Sequence, residues 1–385
     1  MRVLCSLLAF VGMLCAQARP SYLHNRHSTN LVWQTRATTF TGVDTTKTGT
    51  VIHWDFGDGT SQDINDPVKV YPDTSLKTVY MVAADGWGGL TLLNMNTRSL
   101  RGPIPSIARA TALATFSAYT NQFTGSIPSL TTNTALVDFH VGSNQLTGSI
   151  PSLAANTALV TFSVYDNQLT GSIPSLTTNT ALATFLVYNN QLTGSIPSLT
   201  TNTALVTFAV SDNQLTGSIP SLTANTALAY FYVVSNQLTG SIPSLTANTA
   251  LVTFSAYTNQ LTGSIPSLTA NTALAYFYVG SNQLTGSIPS LTANTALVTF
   301  SAYTNQFTGY AGGLGTRVLT TFDASANALT DIAVNAILAD LVVAQAGGNP
   351  VCTVNLSGGT NAAPTGQGLL DKATLIAAGW TVTTN

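Results

Sequence analysis

"NQLTGSIPSLTANTALVTFSAYT", residues Asn236 to Thr258, recurs along the chain with few changes. Its copies place an asparagine every 23 residues, at Asn121, Asn144, Asn167, Asn190, Asn213, Asn236, Asn259, Asn282 and Asn305. A fixed period in this range marks a solenoid, in which each turn buries its apolar face only against its neighbours. In one turn the constant slots are Leu159, Phe162, Val164, Asn167, Leu169, Gly171, Ile173, Pro174 and Leu176. Weaker copies begin at Leu90, with Arg98 in the asparagine slot, and at Leu319, reaching Asn327, which makes about eleven turns.

Each slot has a physical reading. Phe162 and Val164 alternate with Thr161, Ser163 and Tyr165, the period of two of a strand with one buried face. Neighbouring turns then pair these strands in parallel, about 4.8 Å apart. The amide of Asn167 is expected to satisfy backbone groups of the next turn as one rung of a ladder. Gly171 permits a bend, and Pro174 removes a donor and forces the chain to turn again. The expected class is an α/β repeat, a solenoid with a concave parallel β-sheet.

The run Leu-x-x-Phe-x-Val-x-x-Asn-x-Leu-Thr-Gly-x-Ile-Pro resembles the plant-type leucine-rich repeat of receptor ectodomains and polygalacturonase-inhibiting proteins, over roughly residues 90–327. The resemblance implies a recognition scaffold. The period is one residue shorter than is usual in that class, and the paired cysteines that cap its extracellular members are absent. No kinase signature follows the repeats.

The ends differ from the array. Residues 1–18 have the order of a secretory signal peptide, with Arg2, an apolar run from Val3 to Cys15 and Ala16-Gln17-Ala18, so cleavage is expected after Ala18. That leaves Cys352 as a single thiol, read as a buried small hydrophobe. Residues 19–89 read as a β-rich domain or cap. There Trp54-Asp55-Phe56-Gly57-Asp58-Gly59-Thr60 suggests a hairpin and resembles the signature of the polycystic kidney disease (PKD) type β-domain. Residues 328–385 read as a C-terminal α/β cap. It has a helix through Val334, Ile337, Leu338, Leu341 and Val342, started at Thr330-Asp331 and stopped at Gly347-Gly348. A strand at Val351 to Leu356, a helix around Leu369 to Ala378 and a strand at Trp380 to Thr383 follow, and this unit is expected to cover the last rung. Asn355-Leu356-Ser357 is a glycosylation sequon.

Only 7% of residues are charged and the net charge is -2, so no basic field gathers phosphates and nucleic acid is not an expected partner. No segment after the signal peptide is long and apolar enough to span a bilayer. The expectation is a secreted or surface-exposed monomer without a cofactor.

Differences between copies gather at the outward strand positions. Tyr119, Asp138, His140, Tyr165, Asp166, Tyr188, Asp212, Tyr230, Tyr232, Tyr257, Tyr276, Tyr278 and Tyr303 stand there among serines and threonines. Rigid aromatics with polar tips among small hydroxyls suit a protein or carbohydrate ligand; bare filling of a strand face with tyrosine is the plainer alternative. Leu228 to Gln260 recurs at Leu274 to Gln306 with only Val234 changed to Gly280, so duplication explains much of the sameness. Two threonine columns, Thr177, Thr200, Thr223, Thr246, Thr269 and Thr292, and Thr180, Thr203, Thr226, Thr249, Thr272 and Thr295, offer a second reading as an ice-ordering surface. Inhibition of a cell-wall-degrading enzyme is a third. Catalysis is not expected, since no nucleophile recurs beside Asp138 and His140. His24 and His27 could touch a metal but lie in the mature terminus, and of the calcium candidates Asp55, Asp58, Asp63 and Asp66 the first two read more simply as turn residues, with no full ligand spacing following.

Overall fold

The computed structural model describes residues 87–315 and 318–385 in full and, between residues 31 and 83, the backbone of seven strands. The expected signal peptide, His24, His27 and the side chains of the four N-terminal aspartates lie outside the described residues.

The repeats form the expected sheet. Eleven strands, from Leu90–Asn94 through Thr161–Ser163 to Thr321–Asp323, lie side by side in parallel. Register is strict: Phe162 sits opposite Phe139 on one side and Phe185 on the other. In the representative turn Leu159, Phe162, Val164, Leu169 and Leu176 are fully buried and Ile173 nearly so. Strict register turns the phenylalanines into one column from Phe116 to Phe322. Successive rings are 5.2–5.8 Å apart and within 12–21° of parallel.

Two asparagine ladders tie the turns together. The Nδ2 of Asn167 donates to the carbonyls of Val141, Val164 and Tyr165, and its Oδ1 accepts from the amide of Leu146 at 2.9 Å. The inter-turn partners therefore belong to the preceding turn, not the next one as sequence order suggests. The residue before each ladder asparagine turns the strand aside in the left-handed region, with φ near +50° at Asp166, Asp212, Thr258 and Thr304. The second ladder was not anticipated. It runs from Asn133 to Asn294, wholly buried; Asn225 Nδ2 donates to Leu199 and Asn202 carbonyls, while its Oδ1 finds no partner.

Beyond the ladder asparagine the Thr-Gly-Ser segments form parallel bridges between turns, such as Ser149 with Thr170 and Ser172 with Thr193. Gly171 takes φ 76° at the bend between them, a conformation that disfavours any side chain.

Both ends are joined into the array. Ile52–Asp55 pairs antiparallel with Ser61–Asp63. Leu31–Thr35 pairs with Leu100–Pro103, and Asp44–Lys47 pairs antiparallel with Leu90–Asn94 as the outermost strand of the concave sheet. At the other end helix α1, Asp331–Ala346, is capped by Thr330, whose hydroxyl accepts from the Ala333 amide. It packs on α2, Gln367–Ala377. The cap covers the last rung as expected, and it does so by continuing the sheet: strand Thr353–Leu356 pairs with Thr321–Asp323 and Thr381–Thr384 follows it, so the sheet reaches fourteen strands. Asp340 of α1 anchors the cap to the repeats, accepting from the Tyr310 hydroxyl at 2.8 Å and the Gly313 amide. Burial and this carboxylate raise the Tyr310 pKa. Cys352 is fully buried, as read, and its thiol is pushed up to about 12 by burial.

Candidate ligand-binding groove

The outward strand positions make a corrugated floor. Tyr230 and Tyr232 project from one strand and Tyr276 and Tyr278 from another, with Thr253 and Ser255 on the strand between them. The taller neighbours bury Thr253 and Ser255 to 5% and 3%. Two tyrosine ridges thus flank a hydroxyl valley, about 9.6 Å apart at two strand spacings.

Around this valley lies a groove of about 580 Å³ lined by Ser211, Asp212, Tyr232, Val234, Ser255, Tyr257, Tyr278, Ser301 and Tyr303. It brings together five of the expected residues: Asp212, Tyr232, Tyr257, Tyr278 and Tyr303. Ser211, Val234, Ser255 and Ser301 complete it and were not singled out as contacts. Tyr230 and Tyr276 stand on the same strands outside the lining, 39% and 37% exposed, with the Tyr276 ring 6.3 Å from that of Tyr278.

The remaining candidates form other clusters. Tyr165 and Tyr188 stack at 4.8 Å, and burial, with Tyr165 and Asp166 beside it, raises the Tyr188 pKa. Asp166 accepts from Ser143 Oγ at 3.2 Å and Asn189 Nδ2 at 2.7 Å. Asp138 and His140 share one strand; burial lowers the His140 pKa and Asp138 partly offsets it, which favours the neutral imidazole. Tyr119 lies apart near the first turns, its amide bonded to Asn96. Among the described residues no three His, Cys, Asp or Glu side chains gather into a metal site, and no helix is long and apolar enough to cross a membrane.

Glycine decides how the tyrosines lie. A Cβ at Gly142 would meet the Tyr165 ring at 2.6 Å, and one at Gly280 would meet the Tyr303 ring at 2.4 Å. Neither glycine needs a positive φ, so each is there for space: the next ring lies flat over it. Val234 occupies the equivalent position before Tyr257. That ring instead meets Tyr278 edge-on, centroids 6.4 Å apart at 68°.

The threonine columns expected to face outward do so, but the Thr177 hydroxyl is tied to Ser175 Oγ at 3.1 Å within its own turn. A second exposed array lies in the Thr-Gly-Ser segments, where the hydroxyls of Thr170, Thr193, Thr216 and Thr239 each donate at 3.3–3.4 Å to a glycine carbonyl of the preceding turn. Thr147, Thr170, Thr193, Thr216, Thr239 and Thr262 are exposed in one column, with Ser149, Ser172, Ser195, Ser218 and Ser241 beside them.

The sequence matches no protein-family model and no curated protein. Among solved structures it is similar to PEPR1–AtPEP1, with a TM-score of 0.64 and 26% identity over 72% of this chain and 39% of that one. It is also similar to the Arabidopsis receptor kinase HAESA in complex with the peptide hormone IDA and the co-receptor SERK1, with a TM-score of 0.55 and 28% identity over 60% of this chain and 40% of that one. The solenoid is related to plant receptor leucine-rich repeat domains. It spans about two fifths of those receptor chains. A plant ice-binding protein aligns with a TM-score of 0.48 and 22% identity over 59% of this chain and 80% of that one, a level that carries no functional argument.

Proposed function

We propose that the protein is an extracellular recognition module that binds a protein or carbohydrate ligand in the concave groove. The observation that carries this reading is the convergence of Tyr232, Tyr257, Tyr278, Tyr303 and Asp212 on one preformed hollow of a rigid sheet. Aromatic rings with polar tips contribute contact area at small entropic cost. The likeness to HAESA, whose structure holds a peptide hormone, supports it. Inhibition of a wall-degrading enzyme would be one case of protein binding on this face.

The test is retention of ligands from a cell-surface pull-down and a glycan array by the wild-type chain and by a variant with Tyr230, Tyr232, Tyr276 and Tyr278 all changed to Ala. These rings fill no part of the core, so the variant should fold with an unchanged circular dichroism spectrum and lose retention. Equal retention by both proteins would move the site elsewhere.

A second reading has its own observation, the exposed Thr-Gly-Ser columns. Their regular two-column spacing, about 4.8 Å between turns, suits ordered water. Thermal hysteresis that disappears on Thr193→Tyr with Thr216→Tyr, and persists in the tyrosine variant, would favour this reading over the groove.

A further inference from the structure

Between residues 110 and 315 the chain contains no Lys or Arg, and its carboxylates there are Asp138, Asp166 and Asp212, all at outward positions of the concave face. Asp138 has His140 beside it, and Asp166 is engaged by Ser143 and Asn189. The Asp212 carboxylate is exposed and accepts no hydrogen bond among the described residues, yet it stands in the groove wall. A preference of aspartate for the left-handed backbone at this position explains its fit to the turn. It does not remove the charge.

We propose that the groove reads an extended peptide bearing one lysine or arginine side chain, the cation lodged between Asp212 and the rings of Tyr232 and Tyr257. This rests on the concave-face reading above and names its ligand class. A cation beside a carboxylate and tyrosine π-faces gains from both, and no Lys or Arg between residues 110 and 315 competes for the place. From Asp212 to Tyr303 the groove crosses five turns, about 19 Å between outer strands, the reach of roughly six extended residues. Its charge sits at one end only, so it orients a peptide with a neutral remainder over Tyr278 and Tyr303. A sugar chain would find little paired hydrogen bonding there, because the other polar groups are single hydroxyls. Val234 shapes the wall by holding the Tyr257 ring edge-on to Tyr278.

The test is an array of end-blocked hexapeptides, each made with Lys, acetyl-lysine or Glu at one position, printed beside cello- and chito-oligosaccharides and probed with the full chain. The expected result is retention by Lys members, a roughly tenfold loss on acetylation, and a similar loss with Asp212→Asn. Neutral or acidic members binding best, Asp212→Asn binding as the wild type does, retention of oligosaccharides alone, or no retention at all would each overturn the proposal. If neutral peptides or sugars are held and Tyr232→Ala with Tyr278→Ala releases them, the cation assignment falls while the concave-face reading stands. If those tyrosine variants release nothing that is held, both fall.

Discussion

At the scale of single residues, small differences between copies decide how the binding face is shaped. Val234→Gly should let the Tyr257 ring lie flat, as Tyr303 does over Gly280, and Gly280→Val should lift Tyr303. The check is the ring-current shift of the Tyr278 protons, expected to change in the first variant because its edge-on contact is lost. This feature was only half legible in sequence. The Val234 and Gly280 difference is visible in the duplicated block, but its effect depends on a ring from the following turn. Backbone strain offers another lever, since Thr258 is exposed and β-branched at φ 56°. Asn tolerates that region better, so Thr258→Asn should stabilise by about 0.5–1 kcal/mol, read as a higher denaturant midpoint.

At the scale of the repeat element, the two ladders are chemically unequal. Asn213 makes three donor contacts and accepts from the buried Leu192 amide, which would be orphaned in Asn213→Ala. Asn225→Ala removes two donor contacts, but the Leu199 and Asn202 carbonyls keep backbone partners and an unpaired acceptor disappears. Losses of about 2–3 kcal/mol for the first and about 1 kcal/mol for the second are expected by chemical unfolding; the reverse order would contradict this account. The period made the solenoid legible because each slot accepts one kind of side chain. The Asn-Thr recurrence is equally visible, but an asparagine flanked by exposed threonines carries no sequence mark of burial. The direction in which an amide reaches, to the turn before or after, is a fact of handedness that linear spacing does not carry. The two cap helices were readable from apolar spacing and end signals, whereas the joining of Asp44–Lys47 and Thr381–Thr384 to the repeat sheet depends on long-range pairing.

At the scale of the whole molecule, stability depends on both ends being closed. Removal of residues 328–385 would bare the Thr321–Asp323 edge and the Phe322 ring, and the shortened chain should aggregate, seen by light scattering. Cys352 reports on the same cap without truncation. In the native chain it should stay unmodified by a thiol reagent at neutral pH, with mass spectrometry assigning the site. Its folded pKa lies above the ordinary value, so its contribution is intact below pH 9.0 and is lost as pH rises towards about 12. The duplicated block has a different consequence. Its copies start at Leu228 and Leu274, and the offset of 46 residues is two whole periods. Gene recombination could therefore insert or delete that unit with every asparagine rung and phenylalanine contact rejoined. Copy number would then set how long a partner the protein can span, leaving both terminal units untouched.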